Sequence, residues 1–433
     1  MKTNDASDFR AVVIGAGASG VLAAVHIARA GAHRHVALVE AGTRTARGLA
    51  YGTPYGAHLL NVPARRMSAF PDRPDHFAVW LMAHVPGSGP ETYAPRPLYG
   101  EYLAHVLNEA RDSGASVTPV PGTAVDLSRA DPGWRVHLDD GRSLGGAAVV
   151  LALGNLAPGD PPELAAFRDD RYVRDPWAPG VAAGLDREAP VLTVGTGLTM
   201  VDLVLALRAE GHRGPVHALS RHGRLPQEHT AYPVQAIPEP PALSTPAAAA
   251  RWIRLAIAGR LESDRHRPSG HPDWRAVVDS LRPHTARIWS GWSLRRRASF
   301  LRHARSLWDV HRHRIPPEVA ARVRALVDAG ELTIHAGRIT GIEARDEGLR
   351  VRWRRRGGAE ERSLAVARVI NATGPASNYA TLDVPLVARM RRAGDLVPDA
   401  LGLGIETRGD GALLGRHGNP VPGLYPLGPL RRP

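Results

Sequence analysis

Two stretches of this 433-residue sequence space their glycines as a backbone does when it must approach a phosphate. They read "AVVIGAGASGVLAAVHIA" (11–28) and "VLTVGTGLTMVDLVLAL" (191–207). In the first, Gly15 allows a tight turn after a buried-type strand, Gly17 lets a pyrophosphate reach the main chain, and Gly20 lets helix and strand pack closely. The helix that starts there, with Ser19 in its first turn, offers free N–H groups and the positive end of its dipole. Glu40 ends the next strand, "VALVE", where a carboxylate can bind ribose hydroxyls.

The second turn keeps Gly195 and Gly197, followed by Leu198 and Thr199 at the helix start, but has Met200 in place of the third glycine. A side chain there costs close helix–strand approach and need not block phosphate binding; it fits looser, reversible binding. The strand after it, "PVHALSR", ends in Ser220 and Arg221 and not in an acid. An arginine at this place can pair with a 2′-phosphate that an acid would repel. The first site therefore suits an unphosphorylated ribose and the second suits NADPH.

The elements that must position these turns follow from the pattern. Residues 11–50 read as strand, helix, strand; residues 51–97, rich in Pro, Gly and aromatics, read as an ordered functional loop region. A helix follows near 98–114, then short strands, with "DDGR" (139–142) as a hairpin turn. A Pro-rich linker (159–180) precedes the second strand–turn–helix. Residues 235–330 read as mainly helical, and strands resume with "LTIHAGRITGIEAR", "GLRVRWRRR" and "SLAVARVINATGP". The expected organisation is a discontinuous outer domain (1–185 and 331–433) enclosing a middle one (186–330) whose helical part starts near 235.

Composition narrows the function classes. The chain has no cysteine, which excludes structural disulfides, a thiolate nucleophile and a redox-active dithiol, and with them a disulfide reductase. The N-terminal "MKTNDASDFR" lacks a basic region and a cleavage site, so it is not read as a signal peptide, and a cytoplasmic location is expected. The apolar run from Ala11 to Ala32 is broken by glycines, His26 and Arg29, and reads as strand plus helix and not as a membrane span. The net charge is +13, but Lys2 is the only lysine among 55 basic residues, as coding bias in a GC-rich genome would produce. A basic balance reports non-specific attraction and not a site, so no nucleic-acid partner is assigned. The densest basic runs are "SLRRRASFLRHAR" (293–305) and "RVRWRRRGG" (350–358). In "WDVHRHR", Asp309 and His313 would share a helix face, but no further ligands are signalled nearby and no metal is assigned. Trp289, Trp292 and Trp308 read as core of the helical segment, and Arg295–Arg297 as a surface run.

An N-terminal glycine fingerprint, a second one mid-chain and a late "VINATGP" (369–375) together resemble the two-dinucleotide-binding-domain flavoproteins. That superfamily includes the flavin-containing, N-hydroxylating and Baeyer–Villiger monooxygenases. More closely, "GLAYGTPYGAHLLNVPARRMSAFPD" (48–72), "VGTGLTMVD" (194–202), "FLRHARSLWDVHRHRIPPEVAARV" (300–323) and "LGLGIET" (401–407) are similar to a bacterial group described as FAD/NAD(P)-binding proteins. The resemblance implies an α/β fold: a glutathione-reductase-like FAD domain with an inserted NAD(P)H domain, both Rossmann-like, plus a helical segment. It implies that the 48–67 loop wraps the flavin, with Tyr51, Asn61, Arg66 and Met67 beside it. It puts Val125 by the adenine, Leu153 and Gly154 over the pyrophosphate side, and Thr373 and Gly374 at the return crossing between domains. Two features depart from the pattern. The aromatic-Gly-x₃-His-x₃-Trp string of the Baeyer–Villiger enzymes is absent, "LALGNLAPGDPP" standing in its place. The superfamily also closes with a helix facing the flavin, whereas "LYPLGPLRRP" stops where that helix begins, leaving either a shorter sequence or a more open flavin.

These readings converge on an FAD-dependent, NADPH-consuming oxidoreductase. The leading expectation is a monooxygenase that hydroxylates nitrogen or another soft nucleophilic centre of a small metabolite, an amine or amino acid, with molecular oxygen. An NADPH-dependent reductase or dehydrogenase without oxygen insertion, and a non-catalytic FAD-binding protein, stand as alternatives. No catalytic side chain and no oligomeric state are assigned.

Overall fold

The computed structural model describes residues 9–31, 35–42, 45–232, 237–260 and 273–431. Most of the N-terminal stretch weighed as a signal peptide lies outside them. The described chain divides into two compact units, one formed by residues up to 157 together with those from 375, the other by 158–374.

The first unit opens with β1 (Ala11–Ile14), helix α1 (Ala18–Arg29) and β2 (Val36–Glu40). All four residues of β1 are buried, as expected of a parallel strand covered on both faces. Helix α1 turns Gly20, Val21, Ala24, Val25 and Ala28 inward, a stripe at helical spacing, against the sheet. The chain continues through α2 (Gly48–Tyr51), α3 (His76–His84) and α4 (Arg96–Asp112) to β3 (Val117–Pro121). An antiparallel meander follows: β4 (Ala124–Arg129), β5 (Trp134–Leu138) and β6 (Ser143–Gly146), with the 139–142 turn joining the last two as expected. Then β7 (Val149–Leu151) returns beside β1, in parallel.

The second unit repeats that order. Its short β8 (Tyr172–Val173) precedes β9 (Val191–Val194), α5 (Leu198–Ala209) and β10 (Val216–Ser220). Six helices, α6 (Pro246–Ile257), α7 (Trp274–Ser280), α8 (Thr285–Ser290), α9 (Leu294–His303), α10 (Arg305–Arg312) and α11 (Pro317–Asp328), make the helical segment. A meander of β11 (Leu332–Arg345), β12 (Gly348–Arg355) and β13 (Glu361–Val366) then leads to β14 (Arg368–Asn371), which returns beside β9. The chain ends in the first unit with α12 (Pro385–Ala393), β15 (Leu424–Pro426) and a single 3-10 turn at Gly428–Leu430.

The first sheet has the order β15-β7-β1-β2-β3 with every pair parallel, and the second the order β13-β12-β11-β10-β9-β14-β8. The units divide at 157/158 and 374/375, whereas the sequence expectation divided the chain at 185/186 and 330/331. Strands β11 to β14, grouped there with the outer domain, belong to the second unit, as does the 158–185 stretch, while β15 stays in the first. The start of β11 pairs in parallel with β10 from Val216↔Leu332 to Ser220↔Ala336, and β14 pairs with β9. Each is a partner its neighbour requires, because an unpaired edge in that sheet would leave buried backbone groups without hydrogen bonds.

Candidate dinucleotide-binding sites

The two glycine turns have the same local geometry. In the first, Gly15 takes φ +102°, and a Cβ on it would lie 2.4 Å from the Ala152 carbonyl oxygen. In the second, Gly195 takes φ +125°, and a Cβ would lie 2.3 Å from the Ala372 carbonyl oxygen. Each turn is therefore pressed against the carboxyl end of the returning strand, β7 or β14, which only glycine permits. Gly17 and Gly197 are the N-caps of α1 and α5, both extended; neither helix has a side-chain cap or an acid in its first turn. Backbone N–H groups and the positive dipole end stay available at both helix starts. Ser19, Leu198 and Thr199 lie in those first turns, all half-buried.

The turns differ at their third position. A Cβ on Gly20 would lie 1.7 Å from the Gly15 carbonyl oxygen, so no side chain fits there. Met200 fits because it is a core residue, fully buried.

In the first unit, Glu40 stands at the carboxyl end of β2 and accepts a hydrogen bond from the Gly42 N–H (3.0 Å). The Glu40 carbonyl accepts from the Gly122 N–H (3.0 Å), which brings the start of β4 to the same end of the sheet. Val125 sits there at a register shift in the β4–β5 pairing, between Ala124 and Asp126. A bulged residue leaves its backbone groups out of the ladder, where they can meet a ligand's edge. Leu153 packs on the core below β7, and Gly154, φ +69°, has open space around its Cα.

The later part of the 48–67 segment is ordered by backbone hydrogen bonds to a stretch further on in the chain. Residues 58–65 run back along 90–96: Leu60 N–H to Ala94 O (2.8 Å), Ala64 N–H to Thr92 O (2.9 Å) and Arg96 N–H to His58 O (2.8 Å). Gly48 lies so close to Gly17 that a Cβ on Gly17 would be 3.6 Å from its Cα, which brings α2 to the glycine turn. Tyr51, on α2, packs its ring tilted at 58° against Tyr99 with centroids 4.7 Å apart, and burial holds its phenol above the ordinary pKa. Asn61 and Met67 are half-buried, and Arg66 is exposed.

In the second unit, Arg221 begins the loop after β10 and is exposed. That loop is tied to the glycine turn. The buried Thr196 hydroxyl donates to the Arg224 carbonyl (2.7 Å), and Ser220 Oγ donates to Thr196 Oγ1 (2.8 Å) while accepting from the Gly223 N–H (3.0 Å). Thr373 and Gly374 follow β14; the Thr373 hydroxyl donates to the fully buried Asn371 Oδ1 (2.7 Å), whose amide donates to Gly159 O (3.1 Å). Thr196, Asn371, Ala152 and Ala372 were missed in sequence. Of these, Ala152 and Ala372 had a signal: "LALGN" and "NATGP" both place an alanine two residues before a glycine after a short apolar strand.

The remaining sequence candidates have structural partners. Asp309 pairs with Arg305 (3.3 Å), and His311 bonds the Leu307 carbonyl (2.8 Å); no group of three His, Asp or Glu side chains gathers as metal ligands among the described residues. Trp292 is buried and donates to Leu243 O (2.7 Å), and Trp308 packs on the helical core. Arg295 and Arg296 are exposed, Arg296 donating to the Ser244 carbonyl (3.1 Å), and Arg297 donates to the carbonyls of Trp289 (2.9 Å) and Trp292 (3.0 Å). No described helix is long and apolar enough to cross a membrane.

Residues 12–156 match the family described as FAD-NAD(P)-binding. No curated protein matches the sequence. Among solved structures, the reduced form of ornithine hydroxylase from Pseudomonas aeruginosa is 14% identical, with a TM-score of 0.61 over 97% of this chain and 92% of that one. L-lysine 6-monooxygenase from Pseudomonas syringae is 18% identical, with a TM-score of 0.62 over 96% and 91%. Bacillithiol disulfide reductase from Staphylococcus aureus is 12% identical, with a TM-score of 0.55 over 98% and 90%. With two glycine turns in two repeated units and these likenesses across nearly its whole length, the chain has the fold of the two-dinucleotide-binding-domain flavoproteins.

Proposed function

We propose that the chain is an FAD-dependent, NADPH-consuming monooxygenase that hydroxylates a nitrogen, or another soft nucleophilic centre, of a small amine or amino acid. The observation that carries the reading is the repeat itself. Two turns of one geometry end in different ribose-side residues, Glu40 in the first unit and Arg221 in the second. A carboxylate accepts from free ribose hydroxyls, and an arginine pairs with a 2′-phosphate. The open helix starts fit the pyrophosphate of either dinucleotide.

Bound FAD supplies hydride acceptance and reactivity toward dioxygen, which protein side chains lack. The chain's part is to bind and orient. Gly17, Ser19 and Glu40 hold the resident dinucleotide; the 48–67 segment, with Tyr51, Asn61, Arg66 and Met67, covers it; Val125, Leu153 and Gly154 bound it. Gly197, Leu198, Thr199 and Arg221 hold the visiting reductant, with Thr373 and Gly374 near the return of the chain. Overall, NADPH, a proton, dioxygen and an amine give NADP+, water and a hydroxylamine: the dioxygen bond breaks, an N–O bond forms, and NADPH loses a hydride. The amine must be neutral, since its lone pair forms the new bond.

The likeness to ornithine and lysine hydroxylases favours oxygen insertion over simple reduction. The likeness to a disulfide reductase does not extend to its chemistry, because this chain has no cysteine to relay electrons. The purified protein is expected to carry FAD and to lose flavin absorbance when mixed anaerobically with NADPH, more slowly with NADH. Admitting oxygen beside ornithine or lysine should yield N-hydroxylated product. Reduction without product, whatever the amine, would replace the monooxygenase by a reductase, and bound FAD that neither nucleotide reduces would point to a non-catalytic protein.

A further inference from the structure

The residues after β10 do not stand alone. Ser220 is in parallel register with Ala336 of β11, and the chain folds back over that point: a Cβ on Gly223 would lie 3.1 Å from the Ala336 Cβ. On β11 and β12, Arg338 stands directly opposite Arg354, and the Arg356 N–H bonds the Ala336 carbonyl (2.9 Å). Period-two alternation puts Ala336, Arg338, Arg354 and Arg356 on one face, the face that Gly223 touches. Like charges directly opposite on paired strands repel. Glu361 lies across from Arg354 on its other side and pairs with Arg352 (3.6 Å), but no carboxylate among the described residues pairs with Arg221, Arg338 or Arg356.

His222 lies within this group. Its Nδ1 is buried and has no hydrogen-bond partner. Burial, then the charges of Arg356, Arg224, Arg221 and Arg338, hold its imidazole below the ordinary pKa. Arg224 is steered by a bond from its Nη1 to Ser306 Oγ (2.7 Å). Several cations, an unpartnered imidazole nitrogen and no matching acid form the complement of a dianion, held next to the turn by Thr196.

We propose that Arg338 and Arg356, reaching in from the β11–β12 hairpin, join Arg221, His222 and Arg224 to form a subsite for a ribose 2′-phosphate and set the preference for NADPH over NADH. The proposal rests on the reading of the second unit as the NADPH-binding one. It moves part of the selectivity from the loop after β10 to strands more than a hundred residues later in the chain.

The test uses the purified full chain and two probes, 2′,5′-ADP and 5′-ADP, titrated by calorimetry, so that no turnover is needed. Wild type should bind 2′,5′-ADP more tightly. Arg338→Gln and Arg356→Gln should each weaken 2′,5′-ADP by roughly tenfold, about 1.4 kcal/mol, and leave 5′-ADP within about twofold, since loss of one charge-assisted bond acts on the phosphate alone. Thermal unfolding of each variant without nucleotide should match or exceed wild type, because a repulsion has been removed. Variants that keep the wild-type ratio of the two affinities overturn the role of the hairpin and leave the NADPH reading standing. A wild type that binds both probes equally, or neither, overturns the NADPH reading and this subsite with it.

Discussion

Met200 and Gly20 occupy the same place in two copies of one turn, and neither can take the other's residue. Gly20→Ala would drive a methyl group to 1.7 Å from the Gly15 carbonyl. The helix must then move away from the strand, and the expected result is protein that folds poorly and retains no flavin, read from the absorbance of the purified sample. Met200→Gly restores the fingerprint and is nonetheless expected to harm. Emptying a fully buried methionine costs about 2–5 kcal/mol, and glycine in a helix adds roughly 1 kcal/mol. Urea unfolding should shift to a much lower midpoint while NADPH affinity stays within about threefold, since uncapped N–H groups and not the third residue meet the phosphate. Tighter NADPH binding in that variant would restore the view that Met200 loosens the site. The spacing of Gly15, Gly17 and Gly20 was legible in sequence because each serves a local backbone need. The fit of Met200 was not, because it depends on how far the α5 helix stands from its sheet.

At the scale of elements, a turn and the loop after the next strand act as one piece. The Thr196 hydroxyl holds the Arg224 carbonyl, and Ser220 completes the link through the Gly223 N–H. Thr196→Val keeps the shape and removes both bonds, leaving buried groups unsatisfied at about 1–3 kcal/mol. The loop that carries Arg221 should then lose its fixed position. NADPH should bind roughly tenfold more weakly, with FAD content unchanged because the first unit is untouched. Equal NADPH affinity in nucleotide titrations would mean that the loop is held by its contact with Ala336 alone. Local signals made these elements readable: strand–turn–helix at 11–28 and 191–207, and the "DDGR" hairpin between Trp134–Leu138 and Ser143–Gly146. Which sheet received β11 and β14 was not readable. Parallel pairing such as Val216↔Leu332 joins residues far apart in the chain and leaves no periodicity at either end. The register shift at Val125 was hidden for a similar reason, since a bulge is a property of two strands together.

For the whole molecule, partly or fully buried histidines tie stability to pH. Burial is the leading cause that lowers the pKa of His76 in the first unit and of His212, His217, His222 and His335 in the second. His217 and His335 also share a hydrogen bond (3.2 Å) across adjacent strands, so each proton placed there meets a neighbouring ring. Unfolding frees every one of these rings to take a proton at its ordinary value of 6.5. The unfolded chain therefore binds more protons than the folded one below that pH, and stability rises with pH wherever that is so. The contribution is complete above 6.5 and is lost as the pH falls through the lowered folded values. Urea midpoints should hold steady from pH 8 to about 6.5 and decline toward pH 5, above the range in which carboxylates protonate. Four of the five rings lie in the second unit, so hydrogen exchange at pH 5.5 should open residues 158–374 before the first unit. Replacing His217 and His335 together by glutamine, which cannot take the proton, should flatten part of the decline. A midpoint that rises on acidification, or a decline unchanged in the double variant, would show that these rings are not its source.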